Sequence, residues 1–338
     1  MSGSPDERLR ALLNGYQATE ALHAAAALSI PDLIANGVAD LTGLARETGT
    51  HSHSLRRLMS ALTALEVVRL DAERYTLTAI GERLKSDARG GWHHWALLIG
   101  SSAIRAAWAH AVPALRTGTT GFESAHGTDI WTYRSRRPEE RAMFDRAMRA
   151  GTERLADSIA GCVVPMSCKR IADVGGGDGT LLAHLLHRHA GVTGILLEQG
   201  ESAASARRRF ADEGLLDRAE VIEGDFFREA PSGADLYILK FVIHDWDDQA
   251  AVAILENCRL AARRRPYARI AIVERLLDSD AGRAEAALSD LNMLVNTGGR
   301  ERTITEYRAL LQDAGLRLHR VQALVGNVAL LDCAPVGN

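Results

Sequence analysis

The chain has 338 residues, of which 46% are hydrophobic, and it carries a net charge of −3 with a pI of about 6.5. This length can bury more than one hydrophobic core, and the mildly acidic balance argues against nucleic acid or an acidic membrane surface as a main partner. A polar N-terminus, the lack of any apolar run of roughly 18 residues, and four cysteines without metal-ligand or disulfide spacing predict a cytoplasmic protein.

The first third is predicted to be mostly helical, with a winged-helix arrangement. Apolar periodicity predicts four helices and then two short strands, at residues 16–28, 30–36, 41–48 and 52–65, then 67–70 and 75–78. Ser29 is predicted to cap the second of these helices. A winged helix is ordinarily a DNA-binding module, but acidic residues near the helix–turn–helix leave no basic stripe. We therefore expect no nucleic-acid partner.

Residues 96–165 are predicted to form a helical linker that contributes to a small-molecule cavity. Trp108 and Phe144 are candidate wall residues of this cavity. Aromatic side chains at helical spacing are more often plain core residues, so this assignment has a structural alternative.

An apolar strand runs directly into a glycine-rich turn within residues 170–180. Glycines at alternate positions, including Gly175 and Gly177, permit positive φ and let the backbone approach a ligand closely. Asp173 and Asp178 bring negative charge to this turn, which suits a cationic, amino-acid-bearing cofactor such as S-adenosylmethionine. A dinucleotide is the weaker alternative, since its fingerprint requires a third glycine where this chain has a threonine.

Acidic residues also end the next two predicted strands. Glu198 ends the strand at 193–198, where a carboxylate can bind the hydroxyls of a ribose. In the strand at 221–227, Asp225 can accept a hydrogen bond from an adenine amino group and Phe226 can pack on the ring. Taken alone, Asp225 could also be an ordinary turn residue.

A histidine follows the fourth predicted strand, residues 235–243, and precedes a helix at 249–263. In an open α/β sheet, ligands bind beyond the carboxyl ends of the strands, so His244 is a candidate general base. A surface histidine in a loop is the alternative. Asp247 and Asp248 are interpreted as helix caps rather than metal ligands.

Five motifs occur in an order that points to one family. They are Asp173-Val-Gly-Gly-Gly-Asp-Gly, Gly224-Asp225-Phe226, Lys240 with His244-Asp245-Trp246, Val273-Glu274-Arg275, and Thr297-Gly298-Gly299-Arg300-Glu301-Arg302-Thr303. Over about residues 12–334, the chain resembles the small-molecule O-methyltransferases of the caffeic-acid and hydroxyindole type. Bacterial relatives in aromatic polyketide and phenazine pathways belong to the same family.

The resemblance implies a reaction with S-adenosylmethionine as the methyl donor, and we expect no metal. His244 is then the catalytic base, and Glu274 and Glu301 are the acids that flank it, with Glu301 favoured as its direct partner. It also implies a homodimer formed through the N-terminal domain, acting on a hydroxylated aromatic metabolite.

Together with the turn described above, the resemblance predicts the cofactor contacts Asp173, Gly175, Gly177, Glu198, Asp225, Phe226, Lys240 and Trp246. The predicted acceptor contacts are Trp108, Phe144, Asp145, Met148, Asp245 and Asn292. Relatives usually have proline shortly after the ribose-binding acid, whereas this chain reads Glu198-Gln199-Gly200-Glu201. This departure affects the expected loop geometry more than ribose binding.

The remaining elements complete a doubly wound, mostly parallel α/β sheet of the class I methyltransferase type. They are a fifth strand at 270–275, helices at 287–295 and 305–314, and a terminal antiparallel hairpin at 316–323 and 327–332. We expect a winged-helix dimerisation domain over residues 1–95, the helical linker over 96–165, and a catalytic domain over 166–338.

Three functions are compatible with these predictions. The first is O-methylation of a phenolic or enolic hydroxyl. The second keeps the fold and cofactor but methylates nitrogen or carbon, or uses the cofactor for hydroxylation, decarboxylation or ring closure. The third is a winged-helix DNA-binding regulator. The acceptor and its regiochemistry do not follow from pocket aromatics.

Overall fold

The computed structural model describes residues 4–336, which divide into two compact units. The first unit comprises residues 4–105 and 139–151, and the second comprises residues 106–138 and 152–336. None of the helices within residues 4–336 is both long and apolar enough to cross a membrane.

The first unit contains short helices and a two-stranded antiparallel wing. Its elements up to Ile99, in chain order, are α1 (Pro5–Leu13), α2 (Gly15–Ala27), α3 (Ile30–Ala35), α4 (Leu41–Thr48), α5 (Ser52–Ala64), β1 (Val68–Asp71), β2 (Arg74–Leu77), α6 (Ala79–Arg83) and α7 (Trp92–Ile99). Apolar faces of α2 to α5 and α7 and of the wing share one core, which includes Leu44, Met59 and Leu62, whereas α1 has no buried residue. The helix–turn–helix with a β-wing agrees with the sequence pattern.

Ser29 occupies the N-cap position of α3 as predicted, but its side chain does not cap the helix. Its backbone is left-handed, with φ 52°, and its side chain makes no capping hydrogen bond to α3. The N–H of Ser29 instead donates to the carbonyl of Ala26 at the end of α2. A residue that terminates one helix in this way cannot also adopt the extended backbone of a capping serine.

Five further helices precede the sheet in the chain: α8 (Ser102–Ala109), α9 (Ala111–Thr117), α10 (Gly121–His126), α11 (Ile130–Ser135) and α12 (Pro138–Ala160). The sheet region then alternates strands and helices: β3 (Arg170–Val174), α13 (Thr180–Arg188), β4 (Thr193–Glu198), α14 (Gly200–Asp212), β5 (Ala219–Glu223), β6 (Leu236–Lys240), α15 (Asp248–Ala262), β7 (Arg269–Arg275), α16 (Arg283–Asn296), α17 (Ile304–Asp313), β8 (Leu316–Ala323) and β9 (Val328–Pro335).

The seven strands have the order β5-β4-β3-β6-β7-β9-β8. The strands from β3 to β7 are parallel, and β9 runs antiparallel to both of its neighbours, β7 and β8. Successive side chains of a strand point to opposite faces; in β6, Tyr237 and Leu239 join one core while Leu236 and Ile238 join the other. The predicted doubly wound sheet with a terminal antiparallel hairpin is confirmed.

Two strands end earlier than the sequence predicts. β5 stops at Glu223 and β6 stops at Lys240, so residues 224–227 and 241–243 lie outside the sheet. Phe241 has a positive φ of 54°, which interrupts the extended backbone. The chain then forms a short 3₁₀ turn over Ile243–Asp245, and this turn carries the candidate base at the carboxyl edge of the sheet.

Candidate active site

The glycine turn after β3 has the backbone that a close-binding ligand requires. Gly175 and Gly177 have φ values of 70° and 62°, in the left-handed region that favours glycine. A Cβ atom on Gly176 would lie 2.4 Å from Oδ2 of Asp173, so this position also excludes a side chain. The turn is therefore shaped by glycine at successive positions.

Asp173 provides a buried acceptor beside this turn. Its side chain belongs to a residue that is 1% exposed, and within the described residues its Oδ2 has no hydrogen-bond partner. Burial raises the pKa of Asp173 to about 7, although the positive charge of Lys240 opposes the shift. An orphaned carboxylate oxygen of this kind suits a cationic ligand group.

The predicted ribose and adenine contacts lie around the same turn. Oε2 of Glu198 accepts a hydrogen bond of 2.9 Å from the N–H of Gly177. A Cβ atom on Gly175 would be 3.5 Å from the ring of Phe226, and that ring meets Trp246 edge-on with centroids 6.1 Å apart. Asp225 accepts a 2.9 Å hydrogen bond from the N–H of Phe227 through Oδ1.

Lys240 ends β6 and places its ammonium group 4.9 Å from the centroid of the Phe241 ring. Burial lowers the pKa of Lys240, while the charges of Asp173 and Glu274 act in the opposite direction. The charge of Lys240 therefore interacts both with Asp173, beside the glycine turn, and with the predicted catalytic acid Glu274.

His244 has the contact with Glu301 that the sequence analysis favoured. Nδ1 of His244 lies 3.0 Å from Oε1 of Glu301 and 3.6 Å from Oε2 of Glu274. The imidazole is 8% exposed and both carboxylates are fully buried. Burial disfavours the protonated ring, but the charges of Glu274, Glu301 and Asp245 outweigh that effect and raise the pKa of His244 to about 9.

Glu274 holds the backbone of the turn that carries His244. Its Oε1 accepts the N–H groups of Val242, Ile243 and His244 at 3.1, 2.9 and 3.2 Å. Burial, assisted by the charge of Glu301, raises the pKa of Glu274 to about 7. This carboxylate therefore anchors the turn in addition to facing the imidazole.

Glu301 is held by groups that favour its ionised form. Ser289 donates its hydroxyl to Oε1 of Glu301 at 2.7 Å, and the guanidinium of Arg275 lies 3.8 Å from the same oxygen. Burial alone would favour the neutral acid, but the charge and hydrogen bond of His244 and the donor Ser289 lower the pKa of Glu301. Ionised Glu301 can therefore accept a hydrogen bond from the Nδ1–H of His244.

Donor atoms of His244, Glu274 and Glu301 all lie within 4.8 Å of one another. Among the described residues, this is the one group of histidine, cysteine and acidic side chains close enough to share a metal ion. Because Nδ1 already pairs with Glu301, we interpret the group as a base with its acids. A metal-independent reaction remains a prediction.

A fully buried arginine that the sequence analysis did not single out supports the same turn. Arg302 donates to the carbonyls of Ile243 and Trp246 and to the carboxylate of Asp248, at 3.2, 3.0 and 2.6 Å. Asp248 therefore pairs with Arg302 and is not a helix cap, whereas Asp247 caps α15 by accepting from Ala250 as predicted. Arg302 lies in the quoted motif, but its partners are more than fifty residues away and leave no local signal.

The predicted acceptor residues fall into two groups. Phe144, Asp145 and Met148 lie on α12 within the first unit, where Nε of Arg141 donates to Asp145 at 3.0 Å. The others belong to the second unit and are Trp108, Asp245 and Asn292.

Of the second group, Asp245 lies beside the candidate base. Its Oδ1 lies 3.9 Å from Nε2 of His244, and burial raises the pKa of Asp245 to about 6. Asn292 accepts a 2.8 Å hydrogen bond from Asn296 on α16, and Trp108 is 37% exposed on α8.

A cavity of about 230 Å³ in the second unit adjoins this end of the sheet. Asp245 and Trp246 line it, together with the previously unassigned residues Thr120, Asp129 and Asn296. Trp108 and Asn292 are not among its lining residues. The three unassigned residues stand outside the motifs, so the sequence pattern does not identify them.

Comparison with known proteins matches both parts of the chain. Residues 108–317 match the O-methyltransferase domain and residues 11–87 match the O-methyltransferase dimerisation domain. The chain is 37% identical to O-demethylpuromycin-O-methyltransferase of Streptomyces alboniger, over 98% of this chain and 89% of that protein.

Solved structures show the same architecture. The mitomycin 7-O-methyltransferase MmcR has a TM-score of 0.92 at 32% identity, covering 98% of both chains. The O-methyltransferase NcsB1 from neocarzinostatin biosynthesis, solved with S-adenosylmethionine and 2-hydroxy-5-methyl naphthoic acid, has a TM-score of 0.82 at 32% identity and covers 94% of this chain and 96% of that one. With the fold, the motif order and both domain matches in agreement, the resemblance is confirmed and the chain belongs to the O-methyltransferase family.

Proposed function

We propose that the protein transfers the methyl group of S-adenosylmethionine to a phenolic or enolic hydroxyl of an aromatic secondary metabolite, with His244 as the general base. The observation that carries the proposal is the buried imidazole whose Nδ1 lies 3.0 Å from Glu301. An acid on one ring nitrogen orients the imidazole and leaves the other nitrogen for the acceptor.

S-adenosylmethionine supplies an electrophilic methyl group on its sulfonium when it is bound. The unpartnered Oδ2 of Asp173 suits the ammonium group of the cofactor, and the glycine turn leaves room for its amino-acid moiety. Glu198 is proposed to hold the ribose hydroxyls, and Asp225 the adenine amino group. The remaining proposed contacts are Gly175, Gly177, Phe226, Lys240 and Trp246.

The chain's own role in catalysis is to remove and hold a proton. Since ionised Glu301 accepts from Nδ1, His244 keeps the Nδ1–H tautomer and Nε2 takes the proton of the acceptor hydroxyl. Between an unperturbed phenol and imidazole this transfer would cost about 5 kcal/mol. With the pKa of His244 raised to about 9, the cost falls to roughly 1 to 2 kcal/mol. Positioning of the hydroxyl oxygen against the methyl carbon supplies much of the remaining rate.

The acceptor contacts, domain limits and cellular setting belong to the same proposal. The proposed acceptor contacts are Trp108, Phe144, Asp145, Met148, Asp245 and Asn292. Residues 1–95 form the dimerisation domain, 96–165 the linker and 166–338 the catalytic domain. The enzyme acts in the cytoplasm without a nucleic-acid partner.

Methylation of nitrogen or carbon, or a non-methylating reaction, is the second candidate. The buried base with two acids favours the first candidate, because a neutral amine can attack without prior loss of a proton, whereas a phenol near pH 7 cannot. The mass of the product and its site of labelling separate these reactions.

The test is a screen of hydroxylated aromatics for label from methyl-labelled S-adenosylmethionine. We expect His244→Ala to lower turnover by about 10²-fold or more, while calorimetry shows little change in affinity for S-adenosylhomocysteine. His187→Ala, at a half-exposed histidine on α13 that pairs with Glu213, is the matched control and should retain turnover. Full turnover of His244→Ala would rule out the proposed base.

A further inference from the structure

One arginine of helix α14, Arg209, forms hydrogen bonds to the glycine turn. Nε of Arg209 donates to the backbone carbonyl of Asp178 at 3.0 Å, and Nη2 donates to Oδ2 of the same residue at 2.9 Å. The Arg209 side chain is 17% exposed and the Asp178 side chain 6%. A guanidinium can hold two acceptors in fixed directions because its donors form a rigid planar fork.

Neighbouring residues add further contacts between α14 and this turn. Thr180 donates its hydroxyl to Oδ1 of Asp178 at 2.6 Å, and Nη1 of Arg209 donates to Glu213 at 2.8 Å. Gly179 has φ 77°, and a Cβ atom there would lie 2.7 Å from the ring of Phe210, the residue after Arg209. Asp178 and Gly179, in the second half of the glycine turn, therefore contact the consecutive residues Arg209 and Phe210 of α14.

We propose that Arg209 is a positioning residue for cofactor binding. By holding both the carbonyl and the carboxylate of Asp178, it keeps Gly175 and Gly177 in the conformation that receives the cofactor. It also balances the charge of Asp178, the second acid of the turn, beside Asp173. The inference rests on the proposed function, since it assumes that this turn binds S-adenosylmethionine.

The expected effect is on affinity rather than on the chemical step. Without the hydrogen bonds from Arg209 to Asp178, the glycines of the turn would sample more conformations. Cofactor binding would then have to order them, which lowers the affinity. The described contacts of His244, Glu274 and Glu301 do not include Arg209. A residue that only stabilised the fold would change the melting temperature and leave cofactor affinity unaltered.

Calorimetry with S-adenosylhomocysteine tests this inference without knowledge of the acceptor. We expect Arg209→Met to weaken binding about tenfold, equivalent to about 1.4 kcal/mol, and Arg209→Lys to fall between that variant and the wild type. The control is Arg208→Met at the next position of α14, where the side chain is 61% exposed and pairs with Glu201. It should stay within about twofold of the wild type.

Asp178→Asn provides a second variant, and its effect should not add to that of Arg209→Met if both act through one contact. Wild-type affinity in Arg209→Met, or a lower melting temperature with unaltered affinity, would overturn the inference. If Arg209→Met does not fold, wild-type affinity in both Asp178→Asn and Arg209→Lys overturns it equally. A wild-type protein that binds no S-adenosylhomocysteine would instead contradict the proposed function, and the inference would fall with it.

Discussion

Two buried carboxylates face the imidazole of His244, and together with Asp245 they raise the pH range in which it can accept a proton. Because the charges of Glu274 and Glu301 raise the pKa of His244 to about 9, the ring is largely protonated near neutrality in the free enzyme. A stronger base is obtained at the cost of a smaller population of the basic form.

We therefore expect kcat/KM to rise as the pH increases from 7 through about 9, as His244 loses its proton. Glu301→Gln should move the midpoint of this rise to lower pH, because one of the charges that favours the imidazolium is lost. The measurement is a pH–rate profile of both proteins with the same acceptor. Identical midpoints in the two proteins would contradict the assigned coupling.

Asp173 predicts a proton linkage of cofactor binding. Its pKa is raised to about 7 by burial, and a bound ammonium group would favour the ionised carboxylate and lower that pKa. Binding near pH 7 should therefore release part of a proton, and affinity should improve as the pH rises through about 7.

Calorimetry of S-adenosylhomocysteine binding in buffers with different ionisation enthalpies measures this release. Asp173→Asn serves as the control, because it removes the titrating group and should abolish the difference between buffers. Equal heats in all buffers for the wild type would show that Asp173 does not titrate on binding.

At the scale of elements, the turn after β6 is secured by a segment that precedes α17. Arg302 binds two carbonyls of the turn, the N–H of Arg300 donates to the carbonyl of His244, and a Cβ atom on Gly299 would lie 2.1 Å from that same oxygen. His244 and Glu301, 57 residues apart in the chain, are therefore held together by the backbone contacts between these two segments.

Arg302→Met should lower the free energy of unfolding by about 2 to 4 kcal/mol, because buried carbonyls lose their donors. Arg300→Met is the matched control, since Arg300 is 42% exposed and pairs with Glu306 at the surface; we expect a change below about 0.5 kcal/mol there. Urea unfolding of both variants measures the difference. Equal stability of the two variants would remove Arg302 from the role described.

Local sequence patterns predicted most element positions but not the contacts between distant side chains. Helices α4 and α5 and the terminal hairpin were predicted close to their observed positions. The sequence did not reveal that Arg209 holds Asp178 or that Ser289 donates to Glu301, since such pairs depend on the packing of separate elements. Ser29 lies at the predicted N-cap position, but its backbone adopts a left-handed, helix-ending conformation and its side chain makes no capping hydrogen bond.

At the scale of the whole molecule, the dimerisation-domain match predicts a homodimer. Helix α1 and the start of α2 expose large apolar side chains, among them Leu12, Leu13 and Tyr16, which are 71%, 67% and 65% exposed. Apolar side chains at this density on a short helix are typical of an interface.

Sedimentation should give a species of two chains of 36.6 kDa each. Leu12→Glu combined with Leu13→Glu should weaken the dimer at least about a hundredfold, because each buried leucine contributes roughly 1.5 to 3 kcal/mol. Leu216→Glu, at a 63% exposed leucine of the second unit, should leave the dimer intact. A monomeric wild type would contradict the expectation.

The strand order places β9, which comes last of the seven strands in the chain, inside the sheet between β7 and β8. It pairs with β7 from Ile270 to Arg275, with Glu274 opposite Ala329. A chain cut before Val328 would leave the edges of β7 and β8 unpaired and would remove the strand opposite Glu274, whose carboxylate anchors the turn that carries His244. Truncated chains should therefore aggregate through their unpaired strand edges instead of folding into a weakly active enzyme. Only a chain that includes β9 can complete the sheet.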